Sequence, residues 1–177
     1  FTYAFNSATG LRLYINGVED ASSPTSTTAI AAIDAGTTPF SIGVQSDLVT
    51  SEFDGQIDDV RVYNRTLSAT EISQLYKLGV GVTRNASIAG LPGTSNLVAW
   101  HTFDGKKLNT TTSTDSSSNA NNGTLTGGPV PVIGKIGQAL NFDGSNDYVD
   151  AGDIAAIDSA TTLSVCAWVK HYTITTD

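Results

Sequence analysis

The chain has 177 residues, of which 40% are hydrophobic and 15% are charged, and its formal net charge is −8. This acidic balance argues against a protein that coats nucleic acid, because phosphate binding needs clustered Lys and Arg. The sequence has no apolar run of about 18 residues that could span a membrane, and its single Cys excludes a disulfide framework within the chain. Ser and Thr supply about a quarter of the residues, which is typical of short strands joined by polar turns.

The first third of the chain predicts strands and tight turns. Residues 11–15 alternate apolar and less apolar positions and lead into Asn16-Gly17. This pair tolerates positive φ at both centres of a type I′ turn, so the return strand of a hairpin is expected to start at Val18. Further strands are predicted at 29–33, 40–44 and 53–63. An irregularity is expected at Asp58-Asp59, within the strand 53–63.

One short helix is predicted after these strands. Ser68 and Glu71 have the spacing of a capping box, in which each side chain binds the backbone amide of the other residue. Gly79 is a natural end for the helix. Its apolar face is formed by Ile72, Leu75 and Tyr76.

The small and polar residues 79–95 form the best linker in the chain. Residues 109–128 are nearly all Thr, Ser, Asn and Gly and predict a long polar loop with a turn at 121–123. The strand 163–169 is the most apolar and is expected to be central. Strands are also predicted at 96–103, 138–142 and 147–151. The composition and turn spacing together predict an all-β sandwich with one small helix.

Two stretches resemble the laminin G-like, concanavalin A-like jelly roll. Residues 53–72, FDGQIDDVRVYNRTLSATEI, resemble the closing strand and helix of that domain. Four further stretches resemble the opening of the domain: LVAWHTFD at 97–104, DSSSN at 115–119, NGT at 122–124 and GQALNFDGSNDYV at 137–149. Ser118 stands where the family usually has Gly, which stiffens that turn slightly. The resemblance implies an antiparallel jelly-roll sandwich.

The order of these two stretches is reversed relative to the family. The resemblance therefore implies the closing half of one domain at 1–78, the linker at 79–95 and the opening half of the next domain at 96–177. The family's middle strands are missing from both halves, so the jelly roll is expected to be incomplete or permuted. The chain has no Met and begins within a predicted strand, and we expect it to be a piece of a longer protein with tandem neighbours.

The two halves have two alternative arrangements. They can close on each other as one permuted sandwich, in which the strand 56–63 pairs with 97–104, because the first and last strands of a jelly roll are neighbours. Alternatively, each half swaps with a neighbour in a tandem array. Closure is the expected outcome, because an open seam would expose apolar strand edges.

Three Phe-Asp-Gly triplets occur, at 53–55, 103–105 and 142–144. Asp-Gly suits tight turns, and that is one interpretation of these triplets. The other is a structural calcium site, because Ca²⁺ takes six to eight oxygen ligands and the resemblance implies such a site near the strand ends. Asp115, Asn119, Asn146 and Asp147 offer further oxygens. The predicted metal ligands are Asp58, Asp59, Asp104 and Asp143.

The remaining candidate residues favour structural roles. A glycoside hydrolase needs two acids that face each other across a cleft, whereas Glu19, Glu52 and Glu71 are isolated in the sequence, so we do not expect an enzyme. Two His and one Cys are too scattered for a zinc site, and Cys166 is expected to be a buried small hydrophobe. Most aromatic residues at strand-interior positions, Trp100 and Trp168 included, are expected in the core.

The resemblance and the lack of catalytic spacing predict a non-catalytic glycan- or surface-binding module of a secreted or cell-surface, multi-domain protein. Its partner would be a glycan or a cell-surface protein. Two alternatives stay open: a structural spacer repeat of a cell-surface adhesin, and an accessory domain of a glycoside hydrolase.

Overall fold

The structure is a computed structural model that describes residues 1–23, 32–33, 36–45, 51–80 and 95–172. Within these residues the chain forms antiparallel β-strands in two sheets, with one α-helix and two short 3-10 helices. The predicted all-β jelly-roll class is therefore confirmed. None of the helices in the described ranges is long and apolar enough to cross a membrane.

The chain divides into two compact units. The first comprises Phe1–Ala35, Arg61–Val98 and Ala155–Cys166. The second comprises Gly36–Val60, Ala99–Ile154 and Ala167–Asp177. Each unit draws residues from both predicted halves, and residues 81–94 of the predicted linker lie outside the described residues. The assignment of the halves to two successive domains stays a prediction.

The strands and the helix occur in the following order along the chain: β1 (Thr2–Asn6), β2 (Gly10–Ile15), β3 (Val18–Glu19), β4 (Ser41–Ile42), β5 (Asp54–Tyr63), α1 (Ala69–Gly79), β6 (Leu97–His101), β7 (Thr112–Ser113), β8 (Gly123–Thr126), β9 (Val130–Ile133), β10 (Gln138–Asp143), β11 (Tyr148–Asp150) and β12 (Thr162–His171). The 3-10 helices are Gly105–Lys107 and Ala155–Ile157.

The larger sheet has the strand order β3-β2-β1-β12-β5-β10-β9, and β6 also pairs with β5. The smaller sheet has the order β4-β11-β8-β7. Strand β12 lies between β1 and β5, as its apolar sequence predicted. The pairing of β5 with β6 confirms the predicted seam between 56–63 and 97–104.

The hairpin of β2 and β3 forms as the sequence predicted. Asn16 and Gly17 have φ values of 53° and 77°, as a type I′ turn requires. A side chain at Gly17 would also be excluded by α1, because a Cβ there would lie 2.8 Å from Cβ of Tyr76. The turn therefore needs glycine for its backbone conformation and for close packing of the helix.

The helix α1 begins with the predicted capping box. The Glu71 amide donates to Oγ of Ser68 at 3.3 Å, and the Ser68 amide donates to Oε2 of Glu71 at 2.9 Å. The Arg65 guanidinium binds both carboxylate oxygens of Glu71, at 2.6 and 3.1 Å, and holds the pKa of that carboxyl down to about 2. Ile72 is 1% exposed on the inner face of the helix, and its burial stabilises the fold by about 1.5–3 kcal/mol.

The core of the second unit is a cluster of buried aliphatic and aromatic side chains supplied by β4, β5, β10, β11 and the residues that follow β6. Its members are Ile42, Ile57, Val60, Phe103, Leu140, Phe142 and Val149. Separate buried residues of the first unit include Phe5, Tyr14, Val62, Leu67 and Ile72.

The prediction of a long polar loop at 109–128 was wrong, because this segment contains β7 and β8. Its many Thr residues favour strands, and Leu125 of β8 pairs with Val149 of β11. A Cβ at Gly123 would lie 2.3 Å from Cγ1 of Val149, a core residue. The backbone of β8 therefore packs against the core, although most side chains of the segment are polar. Strand β9 was also missed, since its Pro131 argues against a central strand but is allowed at a sheet edge. The short strand predicted at 29–33 falls largely outside the described residues.

Candidate functional site

Two of the predicted metal ligands, Asp58 and Asp104, hold the turn between β9 and β10. The amide of Ile136 donates to Oδ2 of Asp58 at 2.8 Å, and the amide of Gln138 donates to Oδ1 of Asp104 at 2.7 Å. A Cβ at Gly137 would lie 2.1 Å from the same Asp104 oxygen. The carboxylates therefore act as acceptors for a tight, glycine-containing turn.

Asp59 lies at the predicted irregularity of β5. Its φ of 52° departs from strand geometry, and both Asp58 and Asp59 are buried. The indole Nε1 of Trp100 donates to Oδ1 of Asp59 at 2.6 Å. The irregularity therefore turns two successive carboxylates inward, where each accepts hydrogen bonds.

Asp143, the fourth predicted ligand, lies at the end of β10. Its Oδ1 accepts from the Ser145 amide at 2.9 Å, and its own amide donates to Oδ2 of Asp147 at 3.1 Å. Burial raises the pKa of Asp147. These bonds stabilise the turn that follows the third Phe-Asp-Gly triplet, as the turn interpretation of that triplet predicts.

The loop at 115–122 is organised by Asp115. One carboxylate oxygen accepts from the amides of Trp100 and Ser117, at 2.9 and 2.7 Å, and the other accepts from the Asn121 amide at 3.0 Å. Oδ1 of Asn122 accepts from the Asp115 amide at 2.9 Å. Both carboxylate oxygens of Asp115 and the amide oxygen of Asn122 are thus engaged in hydrogen bonds within the protein.

The structure brings Asp58 and Asp104 close enough for their charges to interact, whereas Asp59 binds Trp100 and Asp143 binds its own turn. Among the described residues, no group of three or more His, Cys, Asp or Glu is arranged to hold a metal ion. The four carboxylates therefore do not form one ligand set, and a structural calcium site stays a prediction.

A different site, which we call the Trp168 cleft, lies on β5, β12 and the turn between β9 and β10. It has a volume of about 240 Å³. The residues that line it combine one aromatic ring, two amines, an amide and a carboxyl group. They are Gln56, Asp58, Ile133, Gly134, Lys135, Ala139, Trp168, Val169 and Lys170.

Asp58 is the most unusual residue of the cleft. It is 3% exposed, and its Oδ1 is buried with no hydrogen-bond partner in the part of the chain that the structure describes. Burial raises the pKa of Asp58 to about 6; the charges of Asp59 and Asp104 also raise this pKa, while the Ile136 and Lys135 amides oppose the rise. A buried oxygen without a partner costs free energy, which a hydrogen-bond donor in the cleft would offset.

Trp168 was expected in the core, but the structure places it half-buried on the wall of this cleft. The preceding residues on the same face of β12, Ser164 and Cys166, are buried. Period-two alternation could therefore assign Trp168 to that face, but it could not show that the cleft opens there. The ammonium group of Lys135 lies 5.4 Å from the centre of the Trp168 ring.

The other candidate residues have structural contacts. His101 is fully buried, its Nδ1 lies 2.9 Å from Oγ of Ser113, and burial lowers its pKa. His171 contacts the ring of Phe53, with ring centres 5.4 Å apart. Cys166 is buried, as predicted. Among the described residues, these three do not belong to any group that could hold a metal ion.

A family model described as Laminin_G_3, concanavalin A-like lectin/glucanases superfamily, matches residues 1–73. The laminin G-like resemblance is confirmed over this segment. No curated protein and no solved structure matched the chain. The likeness of residues 97–149 to the opening half of such a domain stays a resemblance read from the sequence.

Proposed function

We propose that this chain is a non-catalytic carbohydrate-binding module and that the Trp168 cleft is its binding site. The observation that carries the proposal is the combination of an aromatic ring with hydrogen-bonding side chains in one concave site. An aromatic face packs against the apolar face of a sugar ring, while Gln56 and Asp58 can exchange hydrogen bonds with its hydroxyl groups. A superfamily that includes lectins, matched by residues 1–73, supports the same assignment.

The glutamates support a module without hydrolytic activity. Glu19 pairs with Arg12, and Glu71 caps α1 and pairs with Arg65. Both are thereby engaged in structural contacts outside the Trp168 cleft. Asp58 is the only carboxylate that lines this cleft in the described residues, and glycoside hydrolysis needs two.

We expect no release of reducing sugar from polysaccharides, and turnover that is lost on replacing Asp58 would contradict this.

The wider setting is part of the proposal. The Ser- and Thr-rich composition and the laminin G-like segment support a module of a secreted or cell-surface protein with several domains. The hydrogen bonds that Asp59, Asp104, Asp115 and Asp143 accept within the protein favour a second candidate, a structural spacer in a cell-surface adhesin. A spacer needs stable turns and has no ligand of its own.

Glycan binding tests the proposal. The chain is screened against an array of oligosaccharides, and the affinity of each hit is measured by titration calorimetry. Trp168→Ala is expected to weaken binding about tenfold or more, equivalent to about 1.4 kcal/mol. Tyr3→Ala, which removes an exposed aromatic side chain of β1 outside the cleft, is the matched control and should bind like the unchanged protein. Absence of binding to every glycan would overturn the proposal and favour the spacer.

A further inference from the structure

The charge of the Trp168 cleft is opposite to that of the whole chain. The chain has 9 Lys and Arg against 17 Asp and Glu, yet the cleft has two lysines, Lys135 and Lys170, and one acidic residue, Asp58. The lining therefore has a formal charge of +1 with Asp58 ionised, and +2 with Asp58 protonated. Local charge of this kind concentrates ligands of the opposite sign.

The two amines of the cleft are available to a ligand. Lys135 and Lys170 are both exposed, and neither forms an ion pair within the described residues. Each instead lies over an aromatic ring, Lys135 over Trp168 at 5.4 Å and Lys170 over Tyr172 at 5.5 Å. The rings hold the amines at the cleft without neutralising them, because a cation–π contact leaves the charge of the amine in place.

Asp58 supplies a second recognition feature at the same place. Its Oδ2 is fixed by the Ile136 amide, while its buried Oδ1 lacks a hydrogen-bond partner within the described ranges. A hydroxyl group that enters the cleft can donate to this carboxyl group. The cleft thus offers two positive donors and one acceptor, a pattern that matches a ligand with an anionic group and a hydroxyl group.

We propose that the Trp168 cleft selects an acidic saccharide, in which Lys135 and Lys170 bind a carboxylate or sulfate group and Asp58 accepts a hydrogen bond from a hydroxyl group. This inference rests on the proposed carbohydrate-binding function and adds the class of sugar. The volume of about 240 Å³ is below the roughly 300–1,000 Å³ of typical small-molecule pockets. In this proposal the cleft takes about one sugar ring, and the rest of the oligosaccharide lies outside it.

Matched pairs of glycans test the ligand class. Uronic-acid oligosaccharides are compared with their carboxyl-reduced forms, and sulfated oligosaccharides with their desulfated forms, by titration calorimetry at about 0.01 M salt. At least one acidic member is expected to bind tenfold or more tightly than its neutral partner. The preference should shrink several-fold at about 0.15 M salt, because the Debye length falls from about 30 Å to about 8 Å.

Variants at exposed positions separate the cleft from general charge. The double variant Lys135→Gln, Lys170→Gln should reduce the acidic preference to less than threefold. The matched control is Lys106→Gln, Lys107→Gln, which removes the same charge from exposed residues outside the cleft and should keep the preference. If the control loses the preference equally, net charge rather than the cleft selects the ligand, and the inference is wrong.

Asp58→Asn tests the hydroxyl contact, with the melting temperature measured to confirm folding. It should weaken the neutral member of a pair, because the contact with its hydroxyl group is weakened. It should weaken the acidic member less, because removal of the Asp58 charge makes the cleft more positive. Equal affinity of every acidic glycan and its neutral partner would overturn the acidic class while leaving the proposed function intact. Binding of no member of any pair, and of no neutral glycan on the array, would overturn the function and the inference together.

Discussion

At the scale of single residues, carboxylates stabilise the loops of this protein by accepting backbone hydrogen bonds. Asp115 accepts amides from Trp100, Ser117 and Asn121, and Asp104 accepts the amide of Gln138. Each bond satisfies an amide that would otherwise lose its partner in a folded turn. The acidic residues that form these bonds therefore have structural roles in the loops.

Ser118 gives the first prediction at this scale. It is exposed, and its φ of 79° lies in the left-handed region that favours glycine. Ser118→Gly should stabilise the protein by about 0.5 kcal/mol, because relief of about 1–2 kcal/mol of backbone strain is partly offset by the greater entropy of glycine in the unfolded chain. Urea unfolding measures the change. Ser145→Gly, at an exposed turn position without positive φ, should destabilise instead, and equal effects of the two substitutions would refute the strain argument.

Asp58 gives a prediction about pH. Its pKa of about 6 in the folded protein is above the unfolded value of about 3.9, so the folded state binds more protons between these values. Its contribution to the free energy of unfolding is fully present below about pH 4 and is lost as the pH rises through about 6. Asp58→Asn should remove this component.

The measurement is the free energy of unfolding of both proteins from about pH 4 to 7. The difference between the unchanged protein and Asp58→Asn should vary over this window. Asp153→Asn, at an exposed carboxylate, is the matched control and should keep the pH profile of the unchanged protein. A constant difference for Asp58→Asn would show that burial does not perturb this carboxyl group.

At the scale of elements, local sequence signals control the start of α1 and the turn beside it. The capping box satisfies orphan amides at the beginning of the helix, and Gly17 lets the β2–β3 turn approach Tyr76 closely. The start of the helix is thus determined by Ser68 and Glu71, and the turn on which it packs is determined by Asn16 and Gly17. Its single buried anchor is Ile72.

The capping box predicts a loss of stability for Ser68→Ala. Removal of the hydroxyl acceptor of the Glu71 amide should destabilise the protein by about 1 kcal/mol, measured as a shift of the urea midpoint. Ser73→Ala within the same helix is the control. Because Ala has a higher helix propensity than Ser, that control should be neutral or slightly stabilising, and a loss similar to that of Ser68→Ala would mean that the cap contributes nothing.

At the scale of the whole molecule, the antiparallel pairs join segments that are far apart in the chain. β1 pairs with β12 from Thr2↔Cys166 to Asn6↔Thr162, and β5 pairs with β10 from Asp54↔Asp143 to Ile57↔Leu140. Closing the long loops between these strands costs conformational entropy. A ligand that binds only the folded state stabilises it by mass action, and this is measured in global unfolding.

Calcium provides the whole-molecule prediction. If Ca²⁺ binds the folded chain through Asp58 and Asp104, mass action raises the melting temperature with calcium and a chelator lowers it. Asp104→Asn should then abolish the calcium response while the unchanged protein keeps it. An identical melting temperature in calcium and in chelator would remove the site and leave these carboxylates as acceptors for the β9–β10 turn.

The sequence by itself determined the features that depend on near neighbours in the chain. The Asn16-Gly17 turn, the capping box of α1, the all-β class and the irregularity at Asp58-Asp59 all follow from the conformational preferences of a few consecutive residues. The resemblance added the pairing of 56–63 with 97–104, which the β5–β6 pair confirms.

Only the tertiary structure decided the features that depend on residues from distant segments. Strands β7 and β8 are polar in composition, and they join the smaller sheet through the pairing of β8 with β11 and of β7 with β8. The Trp168 cleft is assembled from β5, β12 and the β9–β10 turn, whose closeness follows from strand order rather than from any local pattern. The alternation of β12 therefore predicted which face of the sheet Trp168 occupies. Its exposure to a ligand depends on the distant residues of β5 and the β9–β10 turn, which form the rest of the cleft.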